Sequence, residues 1–462
     1  MKILNYQLYY FIGVGGIGMS ALARYFKHYG KNVIGYDKTA TTLTKQLESE
    51  NITCYYDEDV TRLKNILSQY APEEILIVYT PAIPKEHSEW QFLQTQTYTM
   101  MKRAQVLGAI TKQFKTIAIA GTHGKTTTTT LVTHLLKSAG INCFSFMGGI
   151  SKNYNTNLLL GNINDPNAYV VVEADEYDRS FLTLEPHIAL VTSVDADHLD
   201  IYSNDKEVKE SYYLFTQKVQ ENGTLIVKKN VDNELTLSRK RLIYSLNLDT
   251  EYCAQSIVIE NTQFFYDIKS PIECISRVNL GLPGMHNVEN SIAAVAIAQQ
   301  LGIKSEVIKD ALRSFSGVKR RFDYRVKNDK AVYIDDYAHH PEELKAFISS
   351  VRKIFPQKKI TGIFQPHLFS RTRDFADDFA KSLGLLDECI LLDIYPAREK
   401  PMEGITSTWL LNKVTASEKK LMGKQEVVEY LANNQKEVIL TMGAGDIDAI
   451  VEPIEKVVLK YI

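Results

Sequence analysis

The stretch Lys115–Thr126 limits the fold of this chain more than any other part of the sequence. An apolar run ends in the glycine loop Gly121–Gly124, and a helical pattern begins at Lys125. Glycines let a backbone approach an anion closely, and the first N–H groups of a helix point at that anion. This order of strand, loop and helix start therefore predicts a nucleotide phosphate site on an α/β fold.

The polar side chains of this stretch have separate predicted roles. Lys125 would bring a positive charge to the β- and γ-phosphates, and the hydroxyl of Thr126 would contact Mg²⁺. A strict phosphate loop has a further glycine where this chain has Ile119, so the motif is the shortened form G-x-x-G-K-T. The alternative is a turn that binds nothing, which the flanking strand and helix patterns disfavour.

A second glycine loop, Gly13–Gly18, follows the apolar run Leu8–Ile12 near the start of the chain. With Asp37 about twenty positions further on, it forms the G-x-G-x-x-G fingerprint of a βαβ unit. The fingerprint is compatible with a dinucleotide or with any diphosphate at the helix start. Thr80 and Ala82 follow a later apolar strand, at the kind of strand end where α/β sheets bind ligands.

Length and composition set the number of domains and exclude several functions. The 462 residues predict three domains, at 1–100, 101–315 and 316–462. We expect Rossmann-like first and last domains and a central parallel sheet with a small antiparallel excursion from about Gly223 to Val278. A net charge of −2 gives no case for nucleic acid, and no apolar run is long enough for membrane insertion. Dispersed cysteines and the lack of a signal-peptide pattern indicate the cytoplasm, and the oligomeric state stays open.

Polar residues at predicted strand ends form two further groups. In the central segment, Glu173 and His198 each follow an apolar run, and a carboxylate and an imidazole there suit Mg²⁺. Taken singly, these two residues could be an exposed strand end and an ordinary loop histidine. In the last segment, three loops after strands are rich in His, Arg and Asp: Asp335–Pro341, Gln365–Arg373 and Asp393–Glu399. Because arginine grips carboxylates and phosphates, they predict a ligand site.

Together these motifs resemble those of the Mur ligases of peptidoglycan synthesis, and the resemblance covers essentially the whole chain. The matching motifs are Phe11–Ser20, Gly121–Thr127, Glu173–Glu176, Asp195–Asp200, Pro283–Asn290, Arg320–Phe322, Asp335–Pro341 and Tyr395–Glu399. The resemblance implies a central ATPase domain and ATP-dependent joining of L-alanine to the carboxylate of UDP-N-acetylmuramate through an acyl phosphate. It also implies Mg²⁺, with Mn²⁺ as a substitute. The first glycine loop would then hold the diphosphate of the UDP-sugar and not a nicotinamide cofactor.

The resemblance assigns expected roles to individual residues. The expected UDP-sugar contacts are Gly13, Gly15, Gly16, Ile17, Gly18, Asp37, Thr80 and Ala82. The expected ATP contacts are Gly121, Thr122, His123, Gly124, Lys125, Thr126, Thr127, Asn287, Asn290, Arg321 and Asp335. The expected metal ligands are Thr126, Glu173 and His198. The residues expected to face the muramate carboxylate and alanine are Tyr337, His339, Arg371 and Arg373. The expected catalytic residues are Lys125, Glu173, His198, His339, Arg371 and Arg373, with His339 a candidate for the base.

One departure from the family and three alternatives remain. Related ligases that act later in the pathway carry a carbamylated lysine where this chain has Tyr212 and Tyr213, fourteen and fifteen residues past His198. We therefore predict no carbamyl-lysine metal bridge, which agrees with a ligase that adds alanine.

The alternatives are a recycling ligase that attaches a preformed tripeptide, an NAD-dependent dehydrogenase and a nucleotide-binding protein without catalysis. A dehydrogenase function would not account for the phosphate-loop lysine, Lys125, or for the predicted metal ligand, Glu173.

Overall fold

A computed structural model describes residues 2–195, 202, 204–247, 249–397 and 399–461. The chain divides into two compact units. The first unit comprises the residues up to Cys253, Ile268–Ile275 and Asn290–Ala311. The second unit comprises Ala254–Asp267, Ser276–Glu289 and the chain from Leu312 onward. The described strands form three sheets, and the boundaries of the three expected domains stay a prediction.

The first unit begins with a five-stranded parallel sheet. Its strands are β1 (Leu8–Ile12), β2 (Asn32–Tyr36), β3 (Thr53–Tyr55), β4 (Ile75–Tyr79) and β5 (Thr99–Lys102). Its helices are α1 (Ile17–His28), α2 (Thr42–Ser49), α3 (Val60–Leu67) and α4 (Ser88–Gln94). The strand order is β3-β2-β1-β4-β5, and every pair is parallel, as in a Rossmann-like domain. All five residues of β1 are buried, which explains why that strand is a continuous apolar run.

The second sheet has ten strands and carries the phosphate loop. The strands are β6 (Lys115–Ala120), β7 (Cys143–Ser151), β8 (Thr156–Leu159), β9 (Tyr169–Glu173), β10 (Ile188–Val191), β11 (Thr224–Lys228), β12 (Leu242–Ser245), β13 (Tyr252–Glu260), β14 (Gln263–Lys269) and β15 (Ile275–Leu280). The accompanying helices are α5 (Arg103–Thr111), α6 (Lys125–Ser138), α7 (Asp205–Gln217), α8 (Lys229–Leu235), α9 (Met285–Gln300) and α10 (Ser305–Ser314). The order is β15-β14-β13-β12-β11-β10-β6-β9-β7-β8. Strand β6 is therefore central, with β9 and β10 parallel to it on either side.

The antiparallel excursion at the β15 edge of this sheet begins later than the sequence predicts, and β7 and β8 form a separate antiparallel pair at the other edge. Strands β10 to β13 pair in parallel, so the prediction that the excursion starts near Gly223 is wrong. Only two residues, Asn261 and Thr262, join β13 to β14, and both have positive φ, at 49° and 66°. Such a turn joins antiparallel neighbours and is typical of a type I′ hairpin. The predicted α/β class with a mixed central sheet is confirmed.

The second unit contains a six-stranded sheet. Its strands are β16 (Asp323–Lys327), β17 (Val332–Asp336), β18 (Ile360–Phe364), β19 (Glu388–Leu391), β20 (Glu418–Leu421) and β21 (Val438–Met442). Its helices are α11 (Pro341–Ile354), α12 (Phe369–Asp374), α13 (Ala376–Leu383), α14 (Ser407–Lys413), α15 (Lys424–Asn433) and α16 (Val451–Val458). The order is β16-β17-β21-β18-β19-β20, with only β16 antiparallel to its neighbour among the described strands. In the described part of the chain, no helix is both long and apolar enough to cross a membrane.

Candidate functional site

The phosphate loop lies between β6 and α6, as the sequence predicts. Gly121 and Gly124 have φ values of 130° and 81°, a region that only glycine adopts without strain. A side chain at Gly121 would also collide with Oγ1 of Thr192, which follows β10. Both glycines are therefore required by the loop geometry itself.

Contacts with the chain after β10 hold the loop in place. Thr122 Oγ1 donates a hydrogen bond to the carbonyl of Asp195 at 2.8 Å, and the backbone N–H of His123 donates to Ser193 Oγ at 2.9 Å. Within the described residues, no side chain caps the start of α6. The N–H groups of that first turn therefore point at the position that an anion would occupy.

Lys125 makes a buried ion pair that the sequence analysis missed. Its Nζ donates to both carboxylate oxygens of Glu176, at 2.9 and 2.8 Å, and to the carbonyl of Gly121 at 2.6 Å. The Lys125 and Glu176 side chains are only 13% and 4% exposed. Burial lowers the pKa of Lys125, but the charges of Glu176 and nearby carboxylates outweigh it, so the pKa is raised and the ammonium stays charged. The sequence signal was the second glutamate of the E-A-D-E motif after β9.

The three expected metal ligands are described to different extents. Glu173 ends β9 beside β6, and a side chain at Gly148 would collide with its carboxylate. Thr126 lies buried in the first turn of α6, while His198 falls outside the described residues. Among the described residues, no group of three His, Cys, Asp or Glu could hold a metal ion. A carboxylate and a hydroxyl nevertheless fit Mg²⁺, which binds few protein oxygens and keeps several waters.

The two asparagines expected at ATP occupy different surroundings on α9. The Oδ1 atom of Asn290 lies 2.7 Å from the position that a Cβ on Gly124 would take, so Asn290 lies beside the phosphate loop. Asn287 is buried, and its Nδ2 donates to the carbonyl of Pro283 at 2.7 Å. Their assignment to ATP stays a prediction.

The first glycine loop is stabilised by the end of β2. The N–H groups of Gly13 and Val14 donate to the carbonyl of Tyr36 at 2.7 and 2.9 Å. The N–H of Gly15 donates to the Asp37 carboxylate at 2.8 Å. Asp37 thus holds the loop itself, and its direct contact with a UDP-sugar stays a prediction.

An open cleft of about 260 Å³ joins this loop to the end of β9. Residues from both predicted sites line it, namely Gly16, Ile17, Gly18, Thr80 and Glu173, together with Arg103 and Asp175. Ala82 lines an adjoining pocket that also includes Thr80. Arg103 was not singled out from the sequence, and its Nη2 donates to Asp175 at 3.0 Å. The cleft connects the loop predicted for the sugar nucleotide with a predicted metal ligand.

In the second unit, the loop after β17 gathers several expected residues. The guanidinium carbon of Arg321 lies 4.9 Å from the centre of the Tyr337 ring. The Nδ1 atom of His339 lies 3.0 Å from the carbonyl of Tyr337 and 3.2 Å from the carboxylate of Glu343. Arg321, Tyr337 and His339 therefore lie together, and their ligand contacts stay predictions.

Two adjacent aspartates support this loop in different ways. Asp335 is buried, and it accepts hydrogen bonds from Thr441 Oγ1 at 2.6 Å and from Arg320 Nε at 3.3 Å. Asp336 accepts two backbone hydrogen bonds at 2.7 Å, from the residues Phe322 and Ala338. Burial raises the pKa of Asp336 to about 7. The predicted ATP contact of Asp335 stays a prediction.

One aromatic or imidazole ring from each of the three polar loops lies near a ring of the next loop. The ring of His367, after β18, lies 6.2 Å from that of His339 and 5.7 Å from that of Tyr395, after β19. The two expected arginines on α12 differ. Arg371 is buried, whereas Arg373 is exposed and donates to its neighbour Asp374 at 2.7 Å. Residues two apart on a helix do not share a face, so α12 does not by itself direct Arg371 and Arg373 at the same carboxylate.

A glycine loop after β21 is the part of this site that the sequence analysis missed. Strand β21 lies between β17 and β18, which brings Gly443 and Gly445 against Gln365. Arg320 Nη2 donates to the carbonyl of Gly443 at 2.7 Å. The available signal was the sequence G-A-G-D directly after an apolar strand.

Comparisons with known proteins cover nearly the whole chain. Residues 8–115 match the catalytic domain of the Mur ligase family, 119–298 the Mur ligase middle domain and 320–445 the Mur ligase glutamate ligase domain. The UDP-N-acetylmuramate–L-alanine ligase of Christiangramia forsetii is 49% identical over 461 residues, which is 99% of each chain.

Two solved structures share the fold. The UDP-N-acetylmuramate–alanine ligase from Thermotoga maritima has a TM-score of 0.81 at 24% identity, over 97% of this chain and 98% of the other. A murein peptide ligase from Psychrobacter arcticus has a TM-score of 0.72 at 21% identity, over 99% of each chain. With the three matching domains and a near-full-length relative, the chain belongs to the Mur ligase family.

Proposed function

We propose that this chain is an ATP-dependent ligase that joins L-alanine to the carboxylate of UDP-N-acetylmuramate in peptidoglycan synthesis. The observation that carries the proposal is the cleft between the first glycine loop and Glu173, because it links a diphosphate-type loop to a predicted metal ligand within one unit. The full-length relative that bears this activity in its name supports the choice of substrates. The reaction takes place in the cytoplasm, where ATP and the sugar nucleotide are available.

The phosphate loop binds the ATP phosphates in this proposal. The first-turn N–H groups of α6 face the phosphate oxygens, and the Lys125 ammonium exchanges Glu176 for them. Thr126 and Glu173 would hold a Mg²⁺ ion, which would offset the repulsion between the phosphate and the attacking carboxylate. The carboxylate oxygen attacks the γ-phosphorus, the bond to ADP breaks, and an acyl phosphate forms.

The second half of the reaction uses an amine. The nitrogen of L-alanine attacks the acyl carbon, loses a proton, and phosphate leaves from the tetrahedral intermediate. The carbonyl of Tyr337 and the carboxylate of Glu343 both lie near Nδ1 of His339. They hold the ring proton on Nδ1, so that Nε2 carries the lone pair that accepts the amine proton. The tautomer follows from these hydrogen-bond partners.

A phosphate-release assay tests this proposal. We expect phosphate from ATP only when both UDP-N-acetylmuramate and L-alanine are present. Equal release with the preformed tripeptide would instead indicate a recycling ligase, and oxidation of a substrate by NAD would indicate a dehydrogenase. The variant Lys125→Ala should lose turnover while it still binds the UDP-sugar. Equal loss of both would contradict the separate roles of the two glycine loops.

A further inference from the structure

Arg103 lines the cleft between the first glycine loop and the end of β9. It is the first residue of α5, and its Nη1 atom lies 3.0 Å from the position that a Cβ on Gly18 would take. Its guanidinium therefore lies against the first glycine loop. From the other side, Nη2 donates to Asp175 at 3.0 Å. The side chain spans the distance from the sugar-nucleotide loop to the strand end that carries Glu173.

Arg103 differs in charge from the other ionisable residues that line the cleft. Among the described residues that line it, Arg103 is the one cation, and Glu173 and Asp175 are the anions. Two carboxylates repel a substrate that arrives with a carboxylate of its own. A substrate held at Gly16–Gly18 by its diphosphate has to bring that carboxylate towards Glu173. The cation on that path is Arg103.

Arg103 can donate more hydrogen bonds than it makes within the described part of the chain. Guanidinium has five N–H groups in a planar fork that matches a carboxylate. Among the described residues, Arg103 donates a single hydrogen bond, the one to Asp175. Asp175 is itself held in place, because its other carboxylate oxygen accepts the N–H of Tyr177 at 3.1 Å. The Arg103 side chain keeps 23% of its surface exposed, so a ligand in the cleft can reach it.

We infer that Arg103 binds the carboxylate of the UDP-sugar substrate and selects sugar nucleotides that carry one. Asp175 acts as a positioning residue, since it orients the guanidinium across the cleft. This inference rests on the proposed function and adds to it the residue that distinguishes a muramyl nucleotide from an analogue that lacks the carboxylate. Arg103 thereby directs the carboxylate towards Glu173 at the end of β9.

Binding measurements with two sugar nucleotides test the inference. UDP-N-acetylmuramate and UDP-N-acetylglucosamine differ by the lactyl group and its carboxylate. Calorimetric titration without ATP or divalent cations isolates the contribution of the protein. We expect the wild-type protein to prefer the muramyl nucleotide at least 10-fold, and Arg103→Met to reduce that ratio to about one. Arg103→Lys, which keeps the charge but loses the fork, should lie between them.

A neighbouring cation supplies the matched control. Lys102 precedes Arg103, lines the adjoining pocket but not this cleft, and pairs with Asp178 at 2.7 Å. Lys102→Met should keep the wild-type ratio. Unchanged affinity of Arg103→Met for UDP-N-acetylglucosamine would show that the variant is folded. In turnover, Arg103→Met should raise the KM for the muramyl nucleotide about 10- to 100-fold and change kcat much less.

Several results would overturn the inference without touching the proposed function. They are a wild-type protein that binds both nucleotides equally, an Arg103→Met variant that keeps the preference, or an equal loss in Lys102→Met. If Arg103→Met does not fold, Arg103→Lys decides the matter. An unchanged preference of Arg103→Lys for UDP-N-acetylmuramate over UDP-N-acetylglucosamine would overturn a bidentate contact between Arg103 and the carboxylate. Failure of the wild-type protein to bind either nucleotide would instead contradict the proposed function.

Discussion

Because Lys125 and Glu176 form an ion pair, we expect removal of the Glu176 charge to lower the stability of the protein and to raise its affinity for ATP. Glu176→Gln keeps the shape of the side chain and removes its charge. The pair is almost fully buried, with Nζ–Oε distances of 2.8 and 2.9 Å. Removing one partner of a buried pair typically costs about 3–5 kcal/mol, because the other charge is left without compensation. The carbonyls of Gly121 and Thr122 still accept from Lys125, so we expect the low end, about 3 kcal/mol.

The same substitution should strengthen nucleotide binding. In the wild-type protein, the ammonium has to leave Glu176 before it can contact a phosphate, since its three donors are already engaged. In Glu176→Gln no ion pair has to be broken, and one negative charge near the phosphates is gone. We therefore expect ATP to bind about 10- to 100-fold more tightly, which corresponds to about 1.4–2.8 kcal/mol.

Two measurements check this prediction. Urea unfolding without nucleotide should show the loss of stability, and calorimetric titration with ATP in the absence of Mg²⁺ should show the gain in affinity. The matched control is Glu388→Gln, which removes the carboxylate of another buried ion pair, with Lys420, in the second unit. It should lose stability and leave ATP affinity unchanged. Equal or weaker ATP binding by Glu176→Gln would refute the exchange of partners at Lys125.

Three further predictions concern single groups. Burial alone would raise the pKa of Glu388, but hydrogen bonds, led by that from Lys420, lower it from 4.5 to about 2. The ionised Glu388 therefore contributes about 3 kcal/mol to the free energy of unfolding above pH 4.5, and this contribution is lost as the pH falls to about 2. The urea midpoints of the wild-type protein and Glu388→Gln should converge over that pH range. Gly148→Ala displaces the carboxylate of Glu173, so phosphate release should need about 10-fold more Mg²⁺, and an unchanged requirement would count against Glu173 as a ligand. Asp336→Asn keeps one acceptor for two backbone N–H groups, and should lower the free energy of unfolding by about 1–3 kcal/mol in urea titrations.

The sequence predicts those elements whose signal is local. Strand β1 covers the apolar run Leu8–Ile12 that precedes the first glycine loop in the sequence, because a buried parallel strand is a continuous apolar run. The phosphate loop is predicted for a similar reason, since strand, glycines and helix start are contiguous. The order of strands is not local. The insertion of β21 between β17 and β18 depends on which edges pair, and no single segment carries that information.

The parallel pairing of β11 and β12 was missed for a related reason. Both strands are short and are separated by polar turns, a pattern that fits a meander as well as a crossover. The helix α8 between them, only seven residues long, makes the crossover that parallel strands need. A short helix with mixed polarity gives a weak periodic signal.

The segment after β9 shows why individual site residues could be predicted while their partners could not. The three carboxylates of the motif Glu173–Glu176 lie against different groups: Glu173 beside Gly148, Asp175 on Arg103, and Glu176 on Lys125. Successive residues at a strand end point to opposite sides, so Glu173 and Asp175 line the cleft while Glu176 turns to the phosphate loop. Two of these carboxylates thus neutralise cations proposed to receive anionic substrates. At Lys125 a phosphate would replace Glu176, whereas Arg103 would keep Asp175 and bind the substrate carboxylate through its remaining N–H groups. Without ligands, neither cation is left as an isolated buried charge.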